Sequence, residues 1–431
     1  MRLRIVRAFG VTRNALPQLP PLSVLQTALR KTTETIAGEL ARPGPTAPDW
    51  SDFEWDIARA VVAIHGVSPL LASALRWHGP SQWQEFLQDQ RVQTAGRHAR
   101  IEELLGCIDL GAANRGIAVV ALKGAELHAI GVYRRGERPM GDVDLLVRDA
   151  DFDVATHMLE SLGFRATFAT WKHRVFVPEA PRLRHARLGE HADDDLKIEL
   201  HERIQEALPA CRQDVTAHVM PRQPHAGLNR YPSAAALMIH LLLHAAGAIV
   251  LRNVRLLQLH DLALLGARMT DAEWSELLDH GSAGGGFWWA WPPLALTALY
   301  YTDVIPTWVL SAAEERCPRL LRGVARRQRL SDVSLSCLPV EAFPGIEWSH
   351  SLREALSYAL RRMVPNEETL AARVTCAAHP GVEEALNRWD ELSQWRRILR
   401  WLAAPQLRSG GLAPIRVALL GAQGSSRKVS P

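Results

Sequence analysis

Residues 138–147 read RPMGDVDLLV. Two aspartates one residue apart stand at the mouth of an apolar run, where a strand entering a core normally sheds its charges. On a strand, alternate side chains share a face, so Asp142 and Asp144 project together while Val143 enters the opposite layer. Leu145, Leu146 and Val147 then carry the strand inward. Carboxylates held side by side repel each other unless a cation lies between them. The pair therefore suits Mg2+ (or Mn2+), an ion that prefers oxygen ligands and is often shared with substrate phosphates. A solvated strand end is the plain alternative, and the surrounding sequence has to decide.

Upstream, the apolar run IAVVAL (117–122) predicts a short buried strand that ends at Lys123-Gly124 and leads into a short helix, AELHAIGVY. A turn of this kind can receive a phosphate on its backbone N–H groups. Lys123 and Arg138 are the nearby cations able to neutralise one, with plain surface charge as the alternative. Downstream, Lys197, Glu199 and His201 share one face of the strand LKIELH, and Ile198 and Leu200 the other. Glu199 would bring a third carboxylate from a neighbouring strand and complete a site for two metal ions. Such a site aligns an attacking oxygen with a leaving phosphate. His201 either supports Glu199 from behind or is a satisfied strand histidine.

The chain has 431 residues, 47% of them hydrophobic, which is enough for two or three domains. Its net charge of +4 places no bulk demand for a nucleic-acid or membrane partner. Lysine is rare beside arginine, so Lys123 next to a glycine in an apolar stretch stands out. The cysteines show no zinc-ligand or redox spacing, as expected of thiols in a reducing compartment. The amino-terminal MRLRIVRAFG reaches prolines before any apolar run of signal-peptide length, and no apolar run of about 18 residues occurs. The expected location is cytoplasmic, with no membrane partner.

Proline clusters mark residues 1–48 as an arm or linker around one weak helical stretch. Helical periodicity fills 49–100. Alternating helices and strands predict an α/β core over 101–232. Helices resume over 233–405, one of them opened by the capping box Thr270–Glu273. Residues 406–431 are expected to form a flexible tail. The fold class is α+β: a small mixed β-sheet with helices, flanked by N- and C-terminal helical regions.

The run LKGAEL, RPMGDVDLLV, LESLGF and IELH resembles the polymerase-β-like nucleotidyltransferase superfamily. It is most similar to the branch described as uncharacterised nucleotidyltransferase, and the likeness extends over roughly residues 50–270. The resemblance implies that Asp142 and Asp144 are paired metal ligands and that Glu199 is the third carboxylate, holding the catalytic metal and helping to deprotonate an acceptor hydroxyl. It implies that Gly124 belongs to the nucleotide-cradling turn, followed here by Ala125 where the superfamily usually carries Ser or Gly. The implied activity is Mg2+-dependent transfer of an NMP from an NTP co-substrate, ATP among the candidates, to an acceptor that is a small molecule, sugar, peptide or protein.

Two other classes compete. A non-catalytic nucleotide-binding or assembly protein could keep the fold, but a dead site gains nothing from three repelling carboxylates. A glycosyltransferase using the two aspartates would need a larger Rossmann-like domain than the strands here can build. His240 and His244 have the i, i+4 spacing of a zinc helix, yet their neighbours are apolar and no Glu follows the first, so a core helix is expected. The resemblance would let Asp261 reach the site from the helical domain, against a cap or buried salt bridge; Trp288, Trp289 and Trp291 could line an acceptor cleft, against plain packing.

Overall fold

The computed structural model describes residues 19–180, 187–209, 211–282, 286–363, 394–403 and 407–426. Its strands are β1 (Ala118–Ala121), β2 (Asp142–Leu146), β3 (Phe164–Ala169), β4 (His173–Pro178), β5 (Lys197–His201), β6 (Gln205–Ala207), β7 (Arg212–Asp214) and β8 (Gly227–Asn229). Six of them form a mixed sheet in the order β3-β4-β5-β2-β1-β8, and β6 and β7 make a separate hairpin. Among the described residues four helices precede the sheet: α1 (Leu22–Ala41), α2 (Asp52–His65), α3 (Ser68–Ala74) and α4 (Ser81–Ala113). Within it lie α5 (Gly124–Ala129), α6 (Phe152–Ser161) and α7 (Thr216–Val219). After it come α8 (Ala234–Val250), α9 (Leu256–Gly266), α10 (Asp271–Ser282), α11 (Trp291–Tyr300), α12 (Thr307–Arg316), α13 (Arg319–Ala325) and α14 (Leu330–Val333). The last described helices are α15 (Leu352–Met363), α16 (Gln394–Ala403) and α17 (Ser409–Ser426).

The alternation in DVDLLV explains the layering. Val143, Leu145, Ile198 and Leu200 pack into a small core with Ile108 of α4 and Met158 of α6. Their neighbours along the strands point the other way, where Val120 and Leu146 join a larger core that continues into α2, α8 and α9. The sheet thus divides two apolar layers. In β2 only Asp142 is exposed, and the next four residues are buried. The acidic pair therefore sits at the rim where the layers part, which is how a strand can carry two charges and still enter a core.

In three places the structure adds to the expectations from sequence. The proline-flanked segment expected to be an arm contains the 20-residue α1, whose Leu25, Leu29 and Ile36 are buried. Pro20, Pro21 and Pro43 bracket this helix, and a proline ahead of the first turn removes no helical hydrogen bond. The tail expected to be flexible contains α17, which buries Ile415 and Ala418 and packs on α2. A Cβ at Gly411 would crowd the Leu335 carbonyl, so a glycine-rich stretch serves close packing here. The boundary expected at residue 100 falls inside the 33-residue α4. N- and C-terminal helices also share one core, because Ile57, Leu241 and Leu294 lie in a single apolar cluster. The Thr270–Glu273 box forms as expected, Thr270 N–H donating to Glu273 Oε2 at 2.8 Å. Among the described residues no single helix is long and apolar enough to cross a membrane.

His65 ties this helical body together and makes its stability pH-dependent. The ring is fully buried; its Nδ1 accepts from the Leu256 N–H at 3.0 Å, and its Nε2 lies 3.2 Å from Ser336 Oγ. An Nδ1 acceptor requires a ring that is unprotonated there. Burial, and then the Arg255 charge, push the pKa down to about 3. The folded value lies below the unfolded one, so the contribution is complete above about pH 6.5 and is lost as pH falls from there towards 3. Urea unfolding across that range should lose about 1.4 kcal/mol per pH unit more in wild type than in His65→Leu. Equal slopes would contradict this role.

Candidate functional site

The register of β2 on β5 sets the site. Asp142 lies opposite Lys197, Asp144 opposite Glu199 and Leu146 opposite His201. On the far side of β5, antiparallel β4 sets His173 opposite His201. Asp144, Glu199, His201 and His173 therefore crowd one face of three adjacent strands. Asp144 Oδ1 accepts from Lys123 Nζ at 2.8 Å and lies 3.1 Å from His201 Nε2. Glu199 Oε2 is 3.3 Å from His173 Nδ1 and 3.8 Å from His201 Nε2. The Asp142 side chain makes no hydrogen bond or ion pair among the described residues, and it stands at the exposed start of β2.

Charge in this cluster is unevenly shared. Burial works against the Asp144 carboxylate, but Lys123 and His201 override it and hold its pKa well below the usual range. For Lys123 burial also opposes the charge, and Asp144, Asp142 and Glu199 together raise its pKa. Glu199 is pushed up to about 8, first by burial and then by the charges of Asp144 and Asp142. Loss of water around its carboxyl, and then Asp144, raise Asp142 as well, although the residue itself remains accessible. Near neutrality the Lys123 ammonium and a proton on Glu199 offset part of the negative charge. Such a cluster accepts a further cation readily.

The supports are built into the backbone. Lys123 has φ 50° and ψ −112°, a conformation that residues with a Cβ rarely adopt. Its N–H donates to the Tyr231 hydroxyl at 3.3 Å, and that hydroxyl lies 2.7 Å from His240 Nδ1. Gly124 follows because a Cβ there would overlap the Arg138 guanidinium. Ala125 turns its methyl into the small core. Arg138, read from sequence as either a phosphate cation or plain surface charge, is buried in an ion pair with Asp261. Its Nε and Nη2 grip the two oxygens of Asp261 at 2.8 and 2.7 Å, and both residues are buried. Tyr133 donates to the same carboxylate at 2.7 Å. Asp261 is thus a buried salt bridge. Arg97 of α4 sets the starts of both acidic strands, donating to Met140 O and Gly141 O at 2.8 Å and to Asp194 O at 3.0 Å.

The site opens into a cleft between the sheet and α8. Lys123, Glu199 and His201 line one side of it, and His240, Leu243 and His244 the other. His240 and His244 were expected to be core residues; the helix is largely buried, but one edge of it faces the cleft. Glu206 closes the end, paired with Lys172 and 3.9 Å from His244 Nδ1. The sequence reading missed His173, Lys172 and Glu206 altogether. The HLLLH spacing was the one visible signal for the opposite wall.

A family model described as uncharacterised nucleotidyltransferase matches residues 51–301. No curated protein and no solved structure matches the chain.

Proposed function

We propose, for a chain that belongs to the uncharacterised nucleotidyltransferase family, metal-dependent transfer of an NMP from an NTP to an acceptor hydroxyl, with release of pyrophosphate. One observation carries the reading: Asp144 and Glu199 stand in register on paired parallel strands beside the Lys123-Gly124 turn, with Asp142 free at the rim. The donor set fits a hard divalent ion, since it offers carboxylate oxygens on one face of two strands. Asp142, Asp144 and Glu199 would hold it. Bound there, Mg2+ or Mn2+ would neutralise the triphosphate and ease loss of the acceptor's proton.

The remaining roles belong to the chain. Lys123 guards Asp144 until an ion arrives, and its freed ammonium is the nearest cation for the phosphates. Glu199 would give up its proton to hold the ion, since in the metal-free cluster burial and its acidic neighbours push its pKa up to about 8. Gly124 and Arg138 act as positioning residues, because Asp261 holds the guanidinium against the turn. The cleft facing α8 would receive the acceptor.

Calorimetric titration of each NTP with Mg2+ or Mn2+ tests the proposal. Binding of a nucleotide that depends on the metal is expected, and failure of all four with both metals would overturn it. A non-catalytic nucleotide-binding protein on the same fold is the second reading. The Lys123–Asp144 pair favours it, because a built-in cation already neutralises the buried carboxylate. Release of pyrophosphate from the bound NTP separates the two, and Lys123→Met tests the ion site itself. If Lys123 only holds the place of an ion, Mn2+ affinity without nucleotide rises at least about tenfold. No gain would overturn the reading of this cluster as a cation site.

A further inference from the structure

We propose that His173, Glu199 and His201 form a second ion site that takes a borderline first-row transition ion, Zn2+ above all, in preference to Mg2+. One ligand atom from each of the three lies within 4.8 Å of the others. Asp144 stands beside the group, 3.1 Å from His201 Nε2. The inference deepens the proposed function, since Glu199 serves both, but the ion site needs no nucleotide to exist.

Two imidazoles and one carboxylate are a donor set for Zn2+, Mn2+ or Co2+, whereas Mg2+ takes oxygen ligands and water. The scaffold is rigid. His173 and His201 face each other across the β4–β5 pair, and Glu199 lies two residues from His201 on the same face of β5. Ligands fixed on neighbouring strands are held more closely than ligands on loops. The rings stand edge to face, with centroids 4.9 Å apart. His173 Nδ1 is buried and has no hydrogen-bond partner, although Glu199 Oε2 lies only 3.3 Å away. A nitrogen buried in this way, beside a carboxylate it does not bond, lacks the partner that buried polar atoms normally have. An ion bonded at about 2.1 Å to each ligand needs the three atoms about 3.4 Å apart, which asks for shifts of about an ångström. The far side opens to the cleft, leaving room for a water or a substrate oxygen, as in zinc sites that take part in chemistry.

Co2+ added alone to the full chain tests this, because its visible d–d bands report nitrogen ligation and coordination number. One equivalent should bind with bands of a four- or five-coordinate site. Zn2+ should displace it stoichiometrically, and a hundredfold excess of Mg2+ should not. His173→Gln should lose the bands while keeping the wild-type circular dichroism. Asp142→Asn should keep them even though it loses Mg·NTP binding, so the ion site and the nucleotide site can fail separately. Absence of a Co2+ equivalent in wild type, bands that survive in His173→Gln, or displacement by Mg2+ would each overturn the proposal.

Discussion

Asp142→Asn is expected to leave the protein at least as stable as wild type while abolishing metal-dependent nucleotide binding. The Asp142 side chain has no hydrogen bond or ion pair to lose among the described residues, and its pKa is raised by lost hydration and by Asp144. A group whose folded pKa exceeds its unfolded one favours folding while protonated, and that advantage is gone once pH passes the raised value. At neutral pH the charge is therefore a cost, which asparagine removes. Binding behaves in the opposite way. Changes behind a metal ligand already cost 10–100-fold in affinity, so losing a ligand should cost more than about a hundredfold. Asp144→Asn should weaken binding equally but also destabilise, because it breaks the buried bonds to Lys123 and His201. Urea unfolding and calorimetry on the two variants check both halves. An Asp142→Asn variant that binds Mg·NTP like wild type would remove Asp142 from the site.

Asp261→Ala is expected to cost about 3–5 kcal/mol of stability, the range for breaking a buried ion pair by deleting one partner. It leaves the Arg138 guanidinium buried and unpaired and removes the acceptor of the Tyr133 hydroxyl. The damage should reach the turn, since Arg138 packs where Gly124 lacks a side chain. Nucleotide affinity should fall with it, although Asp261 lies outside the acidic cluster. Arg138→Met/Asp261→Leu should recover much of the stability, because a buried pair can be replaced by apolar residues of similar volume. A loss below about 1 kcal/mol in Asp261→Ala would mean that the pair contributes little to holding the loop.

How far the site could be read from sequence depends on the range of each interaction. DVDLLV and LKIELH gave up their faces at once, because the side-chain period of a strand is local and equals two. The strand ending at Lys123-Gly124 was equally plain. What paired with what was not. Arg138 looked like any cation near a turn, and its partner lies 123 residues away. His173 gained meaning only when β4 paired with β5, a match that no local pattern encodes. The HLLLH helix was judged by its apolar neighbours, which are indeed buried, while one edge of it faces the cleft. Prolines made α1 look like a weak helical stretch within a linker, since the same residues that mark a linker also bracket a helix.

The most direct measurement is an anomalous difference map from a crystal grown with Mn2+ and a non-hydrolysable NTP analogue. A manganese peak bonded to Asp142 and Asp144, in contact with the analogue's phosphates, is expected, with Lys123 turned from Asp144 towards them. A nucleotide bound elsewhere, or phosphates seated at the turn with Lys123 still on Asp144 and no manganese at the aspartates, would contradict this reading of the site.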